Sequence, residues 1–225
     1  MDASPAERPI RPGIAERLWE ASRVEFSQRG YHGARVQGIA RRAGCNVALL
    51  YRHWASKKGL YLELLRSIWL STSKQITTLM ENGPAGAPGV VSAYLDAMMR
   101  DPTGSLILMR EYLDGAPYLS QLLTAEPALN DRLRAAAARL ATEDVGARAG
   151  VDPALAVLTI GGLAAFAASA QDTARVFMDR PITAEAVREH LFEVLLHGIL
   201  PRGDGSETPP TGGDDASEVR GTSAR

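Results

Sequence analysis

The sequence predicts an all-α fold: an N-terminal unit of short helices, a long connecting helix, and a larger helical C-terminal half. Three observations lead there. Strand-like alternation with Val, Ile and Thr enrichment is missing. Helix breakers recur at helix-length intervals, among them Gly30, Gly44, Gly83-Pro84, Pro88-Gly89, Asp101-Pro102, Pro127, Pro153 and Pro201. The 225 residues are 45% hydrophobic, enough to bury a sizeable core.

The elements follow in order. A first helix is expected over 13–29, ending before Gly30. Short helices over 36–43 and 46–54 flank Gly44, which can take the left-handed conformation that ends the first of them. Asn46 can cap the second by accepting from its free N–H groups. Ala40 is small enough for close approach, and Ile39, Leu50 and Trp54 can anchor the crossing. Two short helices over so tight a turn fit a helix–turn–helix at about 35–54. A long helix over 56–80, opened by Ser56, bridges the two halves. Past the breaker run NGPAGAPG, helices are expected over 89–100, 103–114, 118–148 with Pro127 as a point of interruption, 153–178 and 183–200. Asp152 before Pro153 reads as a cap followed by proline at the first helical position. Thr183 opens the last helix, with Glu185 in its first turn, where the dipole favours negative charge.

Both ends read differently. Residues 1–11 are expected to be a flexible arm, polar and unlike a signal peptide. Residues 201–225 contain no Leu, Ile, Phe, Tyr, Trp or Met and are expected to be disordered, because burial cannot offset ordering entropy. The longest apolar run, 154–170, is near the lower length limit for a membrane span. Ala and Gly dominate it, and it reads as a buried helix, with no membrane partner. Cys45 is the single cysteine, so no internal disulfide forms, which fits a reducing, cytoplasmic setting. In the turn between two helices, Cys45 reads as a small apolar filler, with a redox role as the alternative.

Net charge is −1, but it is unevenly spread. Residues 1–60 hold eleven Lys and Arg against five acids, whereas residues 61–200 hold eleven against sixteen. The asymmetry fits either a nucleic-acid or anionic partner for the N-terminal part or a solvated charged face. Lys57 and Lys58 sharpen the choice. They follow Ser56 at a helix N-terminus, where each cation opposes the dipole at a cost of about 0.3–1 kcal/mol. A docked phosphate reverses that sign.

The stretch FSQRGYHGARVQGIARRAGCNVALLYRHWASKKGLYLELL resembles the DNA-binding domain of the TetR family of transcriptional regulators. The resemblance is carried by Phe26, Gly30, Tyr31, Val36, Ile39, Ala40, Ala43, Gly44, Leu50, Tyr51, His53, Trp54, Ser56, Lys57 and Leu60, and covers about 12–72. It implies a three-helix DNA-binding domain over those residues and a C-terminal domain over 73–200 that binds an effector and dimerises. The implied function is a homodimeric repressor, released from a palindromic operator on double-stranded DNA by a small-molecule effector. By position in the motif, Tyr51, His53 and Lys57 are expected at phosphates, with Arg52 beside them. Arg35, Val36 and Gln37 at the start of the second helix lie near the DNA, as do Asn46, Val47, Ala48 and Leu49 at the start of the third. The apolar leading edge, Val47 to Leu49, suits thymine methyl groups in the major groove. Three positions depart from the family pattern: Ala34 stands for a capping Thr, Lys58 for Glu, and Val47-Ala48 for Lys-Gly.

In the C-terminal half, the run ALAVLTIGGLAAFAASAQDTARVFM is rich in small residues, and the last helix carries an apolar stripe through Val187, Leu191, Val194, Leu195 and Gly198. These two helices are expected to pair with their copies as a four-helix dimer interface. Met98, Met109, Tyr112 and Phe166 are candidate linings of a pocket for a hydrophobic or amphipathic effector, with Met80, Met99, Tyr118 and Phe177 as further candidates. Glu111, Gln121 and Gln171 are possible polar anchors. The sequence offers no HExxH spacing, nucleophile elbow or phosphate loop, and no cofactor or metal motif, so an enzyme is not expected. A DNA-binding architectural protein without an effector is the alternative.

Overall fold

A computed structural model describes residues 13–141, 150–177 and 183–199, with the side chains of 170–177, 198 and 199 left out. The described residues form ten α-helices and no strand: α1 (Ile14–Gly33), α2 (Val36–Ala43), α3 (Val47–His53), α4 (Lys57–Asn82), α5 (Gly86–Arg100), α6 (Pro102–Leu113), α7 (Pro117–Ala125), α8 (Asp131–Leu140), α9 (Pro153–Phe177) and α10 (Ala184–Ile199). The expected arm 1–11 and tail 201–225 lie outside them.

Local capping explains most of the boundaries. Gly44 ends α2 in the left-handed region, at φ 66° and ψ 39°. Asn46 accepts from the Ala48 N–H at 2.9 Å, and Ser56 Oγ from the Gly59 N–H at 3.0 Å. Asp152 Oδ1 accepts from Ala154 and Leu155 at 2.8 and 3.0 Å, opening α9, and Thr183 Oγ1 accepts from Ala186 at 3.1 Å, opening α10.

One expected boundary changes, and one expected interruption is present. The helix expected from 89 begins at Gly86, inside the breaker run. Pro88 is tolerated because it is the third residue of α5, where the N–H has no intrahelical partner. The helix expected over 118–148 is divided. Pro127 opens a 3₁₀ turn, Pro127–Asn130, between α7 and α8, and residues 142–149 are outside the described set.

Two cores result. The first gathers Leu18, Phe26, Ile39, Leu50, Leu60, Leu64 and Leu65 from α1–α4, together with Ile107 and Leu108 of α6 and Leu119 and Leu122 of α7. The second gathers Ile76 and Met80 from the far end of α4 with residues of α5, α8, α9 and α10. At 26 residues, α4 is about 39 Å long and runs through both. An Arg188 pair with Asp96 and a 2.7 Å bond to Ser92 fasten α10 to α5. Among the described residues, no helix is long and apolar enough to cross a membrane.

The α4–α5 corner depends on Gly89, where an added Cβ would stand 1.8 Å from the Pro84 carbonyl oxygen. Gly89→Ala is therefore expected to destabilise the fold by about 1–3 kcal/mol, the range for forced overpacking. Urea unfolding measures it, and an unchanged midpoint removes this explanation of the corner.

Candidate nucleic-acid interface and interior cavity

The helix–turn–helix presents one continuous outer edge. Leu50 is fully buried and seats α3 on α1 and α2. That leaves Ala48, Tyr51, Arg52 and His53 exposed, with Val47 and Leu49 half-buried at the rim. Tyr51 is 48% exposed, with its hydroxyl open to a partner from solvent. Trp54 holds the end of α3 by stacking on Trp19 at 6.3 Å and donating Nε1–H to Glu63 at 2.7 Å.

Lys57 opens α4 four residues after His53. Its Nζ lies 4.5 Å over the Tyr31 ring, and Lys58 Nζ lies 5.8 Å from the Tyr118 ring. Burial lowers the Lys57 pKa. The two lysines thus rest on aromatic faces at a helix N-terminus that Ser56 caps.

Glu25 of α1, 4% exposed, offsets the missing capping Thr at Ala34. Its Oε1 accepts from the Arg35 N–H at 3.3 Å, at the start of α2. The carboxylate sits so close that a Cβ at Gly38 would meet it at 2.8 Å. Arg29 pairs with the same oxygen at 3.3 Å. Arg29, Arg35, Gln37 and Arg41 then frame a hollow around Glu25, three cations about one carboxylate. The α1–α2 packing brings Arg29 and Arg41 beside the expected Arg35 and Gln37. Sequence reasoning counted them as cations but did not place them here.

A second feature lies in the C-terminal half. A cavity of about 320 Å³ opens among α4, α5, α6, α8 and α9. Met98 and Tyr112 line it, beside Trp69, Tyr94 and Leu108. Met109 packs on the second core without lining it. Phe166 does not line it either. It stands 59% exposed on α9, because that helix is apolar on several sides and buries Ile160, Ala164 and Ala168 instead. Gly161, Gly162 and Ala165 line the cavity, so small residues assigned from sequence to dimer packing make room for it. Among the other candidates, Met80 is core, Met99 and Tyr118 lie outside the lining, Gln121 is exposed, and the side chains of Gln171 and Phe177 are outside the described set.

Glu111, expected as a polar anchor of the pocket, does something else. It is 1% exposed and accepts from Tyr61 Oη at 2.9 Å, the Tyr118 N–H at 2.7 Å and the Leu119 N–H at 2.9 Å. It caps α7 and ties α6 to α4. Burial, with the Glu111 charge beside it, raises the Tyr61 pKa, so the phenol stays a donor. Two further links join α6 to α1. Asp101 takes Arg23 through both oxygens, at 2.6 and 2.7 Å, and Arg110 Nε donates to the Ser27 carbonyl at 2.5 Å.

Known proteins share this architecture. The family described as bacterial regulatory proteins, tetR family, matches residues 18–64. The HTH-type transcriptional activator FasR of Mycolicibacterium smegmatis is 31% identical over 188 residues, 81% of this chain and 80% of FasR. The chain belongs to the TetR family. Among solved structures, the ketosteroid transcriptional regulator KstR2 of Mycobacterium tuberculosis superimposes with a TM-score of 0.61 at 23% identity, covering 86% of this chain and 97% of KstR2. FadR from Bacillus subtilis, in complex with stearoyl-CoA, has a TM-score of 0.57 at 15% identity, covering 82% and 99%. This TetR-family chain is accordingly a DNA-binding transcriptional regulator with a helix–turn–helix, and its relatives are regulators rather than enzymes.

The Glu25 cap yields a test. Glu25→Ala strips the start of α2 of its acceptor and is expected to lower stability by about 0.5–2 kcal/mol, the range for lost helix caps. Denaturant unfolding reads this, and wild-type stability would mean that α2 starts without help from α1.

Proposed function

We propose that the chain works as a homodimer that places α3 of each protomer in the major groove of a palindromic operator, and that a small effector in the cavity releases it, so that it represses transcription. Residues 12–72 form the DNA-binding unit in this reading, and 73–200 the effector-binding and dimerisation unit. One observation carries it: α6 serves both features at once. Leu108 and Tyr112 line the cavity, while Asp101, which caps this helix, and Arg110 and Glu111 within it hold α1, α4 and α7. An effector that moves α6 bears directly on the orientation of the DNA-reading helices.

The DNA contacts follow from the exposed edge. Tyr51, His53, Arg52 and Lys57 meet phosphates, with Arg35 and Gln37 reaching the backbone from the start of α2. Val36 and Asn46 shape and cap the two helix starts. Val47, Ala48 and Leu49 face base edges, where thymine methyls are the apolar partner. Self-association is supported by the outer faces of α9 and α10, where Leu155 (63%), Phe166 (59%) and Val194 (51%) stand exposed. The effector is small and hydrophobic or amphipathic, as the apolar lining requires. The stearoyl-CoA bound by FadR and the ketosteroids named for KstR2 agree with that class. FasR is named an activator, which favours a second reading with the same contacts and opposite output. Deleting the gene decides between them: target transcripts rise for a repressor and fall for an activator.

Lys57→Ala is expected to weaken binding to every duplex alike and to reduce the slope of log affinity against log salt by about one. Val47→Ser is expected instead to change which bases are selected under the leading edge of α3. Selection from random duplexes, followed by salt titration, separates the two. An operator without thymine there, or a Lys57 variant with an unaltered slope, defeats the assignment. Phe166→Glu is expected to yield monomers in sedimentation velocity, and a persistent dimer moves the interface elsewhere.

A further inference from the structure

The cavity contains a polar group that the fold leaves unused. Tyr94 lies on α5, 3% exposed, and lines the cavity. Its hydroxyl is buried and has no hydrogen-bond partner in the structure. Buried hydroxyls are ordinarily bonded, and leaving one unmade is costly. Two other polar groups of the lining are already engaged, while Thr72, Tyr112 and Asn130 also border it. Trp69 Nε1 donates to the Leu129 carbonyl at 2.9 Å, and Ser73 Oγ donates to the Leu70 carbonyl at 3.2 Å. The Tyr94 ring packs against Gly161 of α9, where an added Cβ would make ordinary contact with ring carbons at 3.5 Å. Burial, then the neighbouring Tyr112, raises the Tyr94 pKa, which keeps the group a neutral donor.

We infer that Tyr94 is the polar anchor of the effector, which is an uncharged, mainly apolar molecule presenting one hydrogen-bond acceptor, such as a carbonyl oxygen, to this phenol. Charge is disfavoured by the lining itself. Its one ionised side chain, Arg134, is 66% exposed and is already paired with Asp131 at 3.0 Å. An ion drawn deeper would lose water without gaining a partner. Selectivity follows, because only a ligand that carries the acceptor pairs the buried phenol. The inference rests on the effector reading given above.

The test uses the full-length protein and two uncharged probes. Prodan is an aromatic ketone whose emission reports hydrogen bonding to its carbonyl, and dimethylaminonaphthalene lacks the carbonyl. Wild type is expected to bind both saturably. Tyr94→Phe is expected to weaken prodan roughly fivefold, the worth of one neutral hydrogen bond. It should also shift the bound emission to the blue and leave the carbonyl-free probe unaffected. Its thermal midpoint without ligand should not fall, since no bond within the protein is lost. A merely structural tyrosine would weaken both probes and lower that midpoint. Gly162→Leu, placed where a Cβ meets no atom within 4 Å, should fill the cavity and abolish both probes. If both bind wild type, Gly162→Leu blocks both, and Tyr94→Phe changes neither or both equally, the anchor is overturned while the cavity reading stands. If wild type binds neither probe, or Gly162→Leu leaves both unchanged, the cavity reading fails and the anchor with it.

Discussion

Glu111 is 1% exposed, and burying a carboxylate so deeply costs several kcal/mol unless its oxygens are satisfied. Three donors meet it: a phenol from α4 and two N–H groups at the start of α7. The α6–α7 turn makes this possible by taking two consecutive left-handed residues, Gly115 at φ 85° and Ala116 at φ 54°. A non-glycine residue in that region is strained, and the strain is offset where the turn aims two amides at one carboxylate. With α7 so fixed, Leu119 and Leu122 fall into the first core, beside Leu64 and Leu65 of α4. The N-terminal unit therefore does not close its own core. It is completed by helices from the half of the chain that holds the cavity.

That dependence gives the molecule its functional geometry. α6 crosses between two cores, with Leu108 in the first and also at the cavity wall. Its first residue is preceded by Asp101, which caps the helix through Gly104 and holds Arg23 of α1 with the same carboxylate. Its last turn carries Arg110 and Glu111, which hold α1 and α4. Both ends of α6 are thus fastened to helices of the N-terminal unit, while Leu108 and Tyr112 border the cavity. A packed seam of this sort shifts between discrete arrangements rather than deforming smoothly.

Legibility in the sequence followed the range of each interaction. Gly44, Asn46, Ser56, Asp152 and Thr183 act on amides two or three residues away, and their roles could be read directly. The helix–turn–helix was readable for the same reason. The start of α5 was not, since Pro88 reads as a breaker until its place in the first turn is known. Glu25, Glu111 and Tyr94 were missed or misassigned because their partners lie on other helices, or, for Tyr94, because the lack of a partner is visible only after folding. Phe166 was placed in the pocket on residue type alone. A helix apolar on most sides offers no periodicity from which to choose a face.

α9 resolves that ambiguity by dividing its surface. Ile160, Ala164 and Ala168 are buried, Val157, Gly161 and Ala165 border the cavity, and Leu155, Leu163 and Phe166 face outward. The three sets interleave at helical spacing, so one helix serves the core, the cavity and the exposed apolar face. The glycines are decisive. A larger side chain at Gly161 would press on Tyr94, and one at Gly162 would occupy the open space beside it. In the proposed assembly, the helix that meets the second protomer is also the wall against which an effector rests. Occupancy of the cavity then acts on the DNA-reading unit through α6 and on the dimer through α9. Linkage requires the reverse as well: a dimer clamped on its operator binds its effector less tightly than one free in solution.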